Sequence, residues 1–203
     1  MSEFLTFVQI GFRHIVDIGA MDHILFLVAL AAIYRRDDVR RVLWVITAFT
    51  VGHSVTLAFA VTGLLALPSN VIEFLIPVTI VATGVENLLV RDREHAPLRG
   101  RYRPVFAGVF GLVHGAGFAA YLQALFVDHL ATPLFGFNVG IELGQLLVLG
   151  AIAVVFGAVD RGISRLPMRG AVWHPMRARV VAVSSLVVIM GSIWAIQRVP
   201  WAP

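Results

Sequence analysis

Apolar residues fall in long runs along this chain. Two kinds of polar position interrupt them: short basic or turn-forming stretches between runs, and single polar side chains within them. A bilayer-spanning helix needs about 20 apolar residues, with about 17–25 as the working range. Runs at residues 42–67, 71–90, 104–127, 134–159 and 180–197 are of that order, and residues 20–34 form a shorter sixth run. The stretch 4–17 is too short and too polar to span. It reads as an interfacial or partly re-entrant helix, broken from the next run at Gly19. Pro68-Ser69-Asn70 has the composition of a tight turn. The pattern predicts an all-α polytopic membrane protein: one transmembrane helical domain over residues 1–203, with six transmembrane helices plus a short N-terminal interfacial helix.

Composition supports the membrane setting. Hydrophobic residues make up 59% of the 203 and charged residues only 14%, with a mean hydropathy of +0.86. A soluble chain of this size would need far more polar surface. The isoelectric point near 10.6 therefore does not indicate a nucleic-acid partner. All 16 basic residues are arginine, and fourteen of them cluster at 35–41, 91–103 and 161–179. Basic clusters beside apolar runs mark cytoplasmic loops, which predicts a bacterial-type inner membrane location with both termini outside. The first residues lack the basic region of a signal peptide, so the N-terminus is expected in the mature protein. Without cysteine there is no disulfide, thiolate ligand or thiol nucleophile.

The polar residues inside the runs carry the candidate chemistry, because an ionisable group at membrane depth costs at least about 2.5–3.5 kcal/mol. Thr47, Thr50, His53 and Ser54 recur at helical spacing on one face. Asn138, Glu142 and Gln145 form a second stripe. Glu73 and Asn87 fall roughly on one face of the third run, and His114 lies in the fourth. Asp22-His23 opens the first run, preceded by His14. Imidazole and carboxylate suit divalent first-row metals. Thr50, Ser54, Glu73, Asn138 and Gln145 are candidates to orient such ligands from behind. A lone buried His or Asn is as readily interhelical glue, and that is the preferred reading of Glu86-Asn87. His95, His129 and His174 sit in loops and carry little. Gly111 and Gly115 have the spacing of close helix packing. Polar groups on four runs (Asp22-His23, His53, His114 and Glu142) are too many for packing alone.

Those residues also carry a resemblance. Gly19-x-x-Asp22-His23-Ile24-Leu25-Phe26, Ile46-Thr47-Ala48-Phe49-Thr50-x-x-His53-Ser54-x-Thr56-Leu57, Phe110-Gly111-Leu112-x-His114-Gly115-x-Gly117-Phe118 and Phe137-Asn138-x-Gly140-x-Glu142-x-Gly144-Gln145 resemble the HupE/UreJ family. The gap from His14 to Asp22-His23 is wider than in the nickel permeases of that group, which aligns the chain with its divergent branch. The resemblance implies a secondary permease for nickel or a related metal, and it carries over His14, Asp22, His23, His114 and Glu142.

The expected function is thus an inner-membrane permease for a divalent transition metal (nickel, cobalt or zinc). Its metal site would draw on His14, Asp22, His23, His53, His114 and Glu142. The alternative is an intramembrane zinc-type hydrolase with a resident metal, in which Glu142 or Asp22 acts as base. A third reading is an accessory subunit with a purely structural polar core. The metal ion and the bilayer are the expected partners, with a homo-oligomer left open.

Overall fold

The structure, a computed structural model, describes residues 2–65, 68–90, 100–123, 131–165 and 175–201. His95, His129, His174 and much of the second and third basic loops lie outside the described residues. In hydrocarbon every backbone N–H and C=O needs an internal partner, and the described apolar runs meet this as helices. They are α1 (Glu3–Val16), α2 (Met21–Ala31), α3 (Val39–Val61), α4 (Ser69–Leu89), α5 (Arg103–Gln123), α6 (Ala131–Arg165) and α7 (Pro175–Gln197), with no strand among the described residues. Among the described residues, α3, α4, α6 and α7 are long and apolar enough to cross a membrane.

The N-terminal part needs a different description. At 11 residues, α2 is about 16 Å long, too short to span. It forms a bent pair with α1, turned by 54° at the break, and the two together have the apolar length of a fifth, broken span or of a re-entrant loop. Local chemistry makes the break. Asp17 leaves helical geometry as the α1 C-cap, and its carboxylate accepts the Gly19 N–H at 2.8 Å, starting a short 3-10 turn at Ile18–Ala20.

Of the two readings the sequence left for α1, interfacial or partly re-entrant, its packing agrees better with the second. Phe7, Gly11 and Ile15 are buried, and α1 packs along α6. A Cβ at Gly11 would collide with the Phe137 carbonyl, and one at Gly140 with the Val8 carbonyl; Gly136 and Gly144 extend the seam. Small residues let membrane helices approach to van der Waals contact, which replaces the hydrophobic driving force that lipid does not supply.

The same device joins α3 to α5. Gly52, Gly111 and Gly115 lie against the carbonyls of Gly108, Phe49 and His53. A third seam joins α4 to α7, with Gly84 against Ser184 and Val188, and Gly191 against Val81. These three pairs hold the most extensive contacts in the molecule. Leu147, Val154, Leu186, Ile189 and Ile196 are exposed, as suits helix faces turned to lipid. The fold is that of a helical membrane protein.

Polar pairing concentrates at the end of the bundle that carries the basic stretches. Arg103 ion-pairs with Glu86, donates to Asn87 Oδ1 at 2.6 Å and lies over the Tyr34 ring. Asn87 Nδ2 in turn donates to the Ala29 carbonyl at 2.6 Å. Arg179 ion-pairs with Asp160 and donates to the carbonyls of Ala32 and Tyr34. The helix α6 continues to Arg165, past the point where the sequence suggested a loop.

Candidate metal centre

The break between α1 and α2 sets His14, in the last turn of one helix, beside His23, in the first turn of the next. Their ring centroids are 4.5 Å apart. His53 of α3 completes a trio: one potential ligand atom from each residue lies within 4.8 Å of the others. Tetrahedral metal–nitrogen bonds of about 2.0–2.1 Å put ligand nitrogens about 3.4 Å apart, so small side-chain adjustments bring these three onto one ion.

The trio's nitrogens are sealed from solvent and lack hydrogen-bond partners. This holds for Nε2 of His14 and for both ring nitrogens of His23 and His53. Buried polar atoms are nearly always partnered, and leaving one unpaired costs about 1–3 kcal/mol. Five such atoms on three adjacent rings fit a ligand that the chain itself does not supply. Neutral imidazoles with free lone pairs are the donor set for a divalent first-row cation.

His114 joins from α5, its ring centroid 5.5 Å from that of His23. The Thr79 hydroxyl donates to the Ile76 carbonyl at 2.7 Å and lies 3.2 Å from His114 Nε2. In the tautomer protonated on Nε2, the Thr79 oxygen accepts that hydrogen bond and Nδ1, buried and unpartnered, carries the lone pair. Outer hydrogen bonds of this kind orient metal-binding histidines.

Phenylalanines enclose the four imidazoles. Phe118 sits 3.9 Å from His14, centroid to centroid, and stacks on Phe137. Phe49 and Phe26 lie 5.2 and 5.8 Å from His114. The surroundings are therefore apolar, and any charge entering them is screened little.

Other candidates are placed differently. Asp22 turns one oxygen to Arg198 at 3.2 Å, while its Oδ1 is buried and unpartnered. Glu142, half-buried on α6, is not part of the histidine group. Glu73 is exposed near the start of α4, although Asn87 on the same helix is buried. Thr50 lies 3.1 Å from Gln145 Oε1, tying α3 to α6, and the Ser54 hydroxyl donates to the Thr50 carbonyl at 2.6 Å. The buried Oδ1 of Asn138 has no partner.

Thr79 was not singled out from sequence, although a signal existed. Thr79, Thr83 and Asn87 recur every four residues on the buried face of α4. Over about 12 Å they link the histidine layer to the Arg103–Glu86 pair. A small cavity of about 20 Å³, lined in part by Phe26, Thr83, Glu86 and Arg103, lies on that line; it is roomy enough for about one water.

No curated protein and no solved structure matches this chain. A family model does, described as HupE / UreJ protein, and it covers residues 1–198. The match takes in every helix that carries a histidine of the centre, and by it the chain belongs to the HupE/UreJ family.

Proposed function

We propose that this protein is a permease that passes a divalent transition metal of the nickel or cobalt type across the membrane, with His14, His23 and His53 as its central binding site. One observation carries the reading: three imidazoles from three helices converge with their nitrogens buried and unpartnered. His114 Nδ1 is the next donor, and the buried oxygen of Asp22 is the nearest carboxylate in sequence to the trio. Family membership supports metal handling. Six crossings, with the basic loops cytoplasmic and both termini outside, is the topology proposed for it, the N-terminal bent pair serving as the first crossing.

The metal here is cargo. It exchanges water for imidazole nitrogen at the trio. It then moves along the α4 face past Thr79 and Thr83 toward the basic end, which the Arg103–Glu86 pair closes in this conformation. Binding must be strong enough to admit the ion and weak enough to release it.

A hydrolase with a resident metal is the second reading, favoured by the sealing of the trio from solvent. Elemental analysis and metal titration of the detergent-purified protein, beside His23→Ala, separate the two. The permease predicts little metal after chelator washing and reversible binding of added nickel or cobalt. In His23→Ala that binding should weaken by more than about 100-fold, beyond the ~10–100-fold typical of outer-partner loss, with a normal size-exclusion profile. A stoichiometric metal that survives chelation favours the hydrolase. Binding indifferent to His23 would sink both.

A further inference from the structure

Away from the histidines, the basic end holds a cavity of about 760 Å³. It lies between α3 and α6 and reaches the start of α7. Its volume is within the ~300–1,000 Å³ of small-molecule sites. The long walls are aliphatic and aromatic, with Val42 and Leu43 on one side and Leu149, Ala153 and Phe156 on the other. Its polar groups include Tyr34, Arg35, Asp160, Arg161, Ser164 and Arg179, so three arginines face one aspartate. Arg35 and Arg161 are exposed. The Arg179 side chain is only 6% exposed. Its guanidinium lies 4.9 Å over the Phe156 ring and is held by Asp160 and by the Ala32 and Tyr34 carbonyls, which leaves an incoming anion to Arg35 and Arg161.

We infer that this groove binds one anionic glycerophospholipid, with an acyl chain between α3 and α6 and its phosphate at Arg35 and Arg161, beside the Arg179–Asp160 pair. Three observations favour that occupant over a second copy of the chain or a soluble molecule. An apolar cleft between membrane helices is filled most readily by lipid chain. The arginine excess matches an anionic head group, in the way that basic pockets between transmembrane helices take such lipids. The apolar and charged parts are arranged end to end, as in an amphiphile. The site is independent of the metal reading, since it shares no residue with the histidine layer.

Gly150 supplies a selective probe. It lines the groove, and a Cβ added there meets nothing within 4 Å. Gly150→Leu therefore fills the groove without disturbing a helix seam.

Native mass spectrometry of the full-length protein, titrated with dioleoyl-phosphatidylglycerol or dioleoyl-phosphatidylcholine, tests the inference. Wild type should carry one phosphatidylglycerol in preference to phosphatidylcholine. Arg35→Gln combined with Arg161→Gln should erode that preference by about fivefold per arginine. Gly150→Leu should lose the bound lipid while keeping the monomer mass, the size-exclusion profile and any nickel binding. Equal binding of the two lipids, a preference unchanged in the double variant, or lipid retained by Gly150→Leu would each overturn the site. A dimer in wild type that Gly150→Leu converts to monomer would assign the groove to a second copy instead.

Discussion

Two polar layers lie one above the other in this bundle, and they are built on opposite principles. At the basic end, the buried groups around Arg103 and Arg179 are mostly satisfied: carboxylate meets guanidinium, and amide meets backbone carbonyl. In the histidine layer, rings from four helices face one another, and most of their nitrogens have no hydrogen bond. Both layers cost desolvation energy. Only the first recovers it within the chain, so the first reads as architecture and the second as a receptor. Removing a member of each layer should have opposite effects.

The largest effect on folding is expected at the basic end. Arg103→Ala leaves the largely buried Glu86 without its cation, a loss of up to about 3–5 kcal/mol, the range for a broken buried pair. The folded fraction in thermal denaturation followed by size exclusion should collapse, whereas His23→Ala should denature close to wild type. Similar melting of the two variants would erase the distinction between the layers.

A smaller effect, shared by both properties, is expected at the seam between α3 and α5. A Cβ at Gly115 runs into the His53 backbone, so Gly115→Ala must push the helices apart, at about 1–3 kcal/mol for overpacking. It should lower the melting temperature and weaken nickel binding together, because His53 moves with the seam. A variant that loses stability with unchanged binding would detach the seam from the site.

The smallest effect is expected at Thr79→Val, which keeps the shape and removes the hydroxyl 3.2 Å from His114 Nε2. Folding should be unaffected and metal affinity should fall by about tenfold, the lower end for an outer partner. No change in titration would mean that Thr79 does not orient the ring.

Much of this was legible in the chain because lipid narrows the choices: an apolar run of spanning length has little option but helix. The basic clusters likewise announced which helix ends would share one end of the bundle. The site was legible residue by residue but not as an arrangement. His14 and His23 meet only because Asp17 turns the chain through 54° between them, and helical periodicity carries no information across a break. The partner of α1 was visible in principle, since Gly136, Gly140 and Gly144 repeat every four residues, the same small-residue spacing as Gly111 and Gly115. The stripe of Asn138, Glu142 and Gln145 was correct as a periodicity. Yet Phe137, one position off that stripe, is the α6 side chain that packs against His14 and His53.

The glycine seams also determine how the centre can change shape. Each seam clasps backbone to backbone, so α1 with α6, α3 with α5, and α4 with α7 behave as three stiff blades, with α2 threaded among them. His53 and His114 ride on one blade, His14 on another, the Thr79 hydroxyl on the third, and His23 on α2. A slide of the α1–α6 blade by about 1–2 Å, the usual scale of helix shifts, leaves the spacing of His53 and His114 untouched while altering every distance from that pair to His14. The coordination shell is thus divided among moving parts, and its number of donors is set by their alignment.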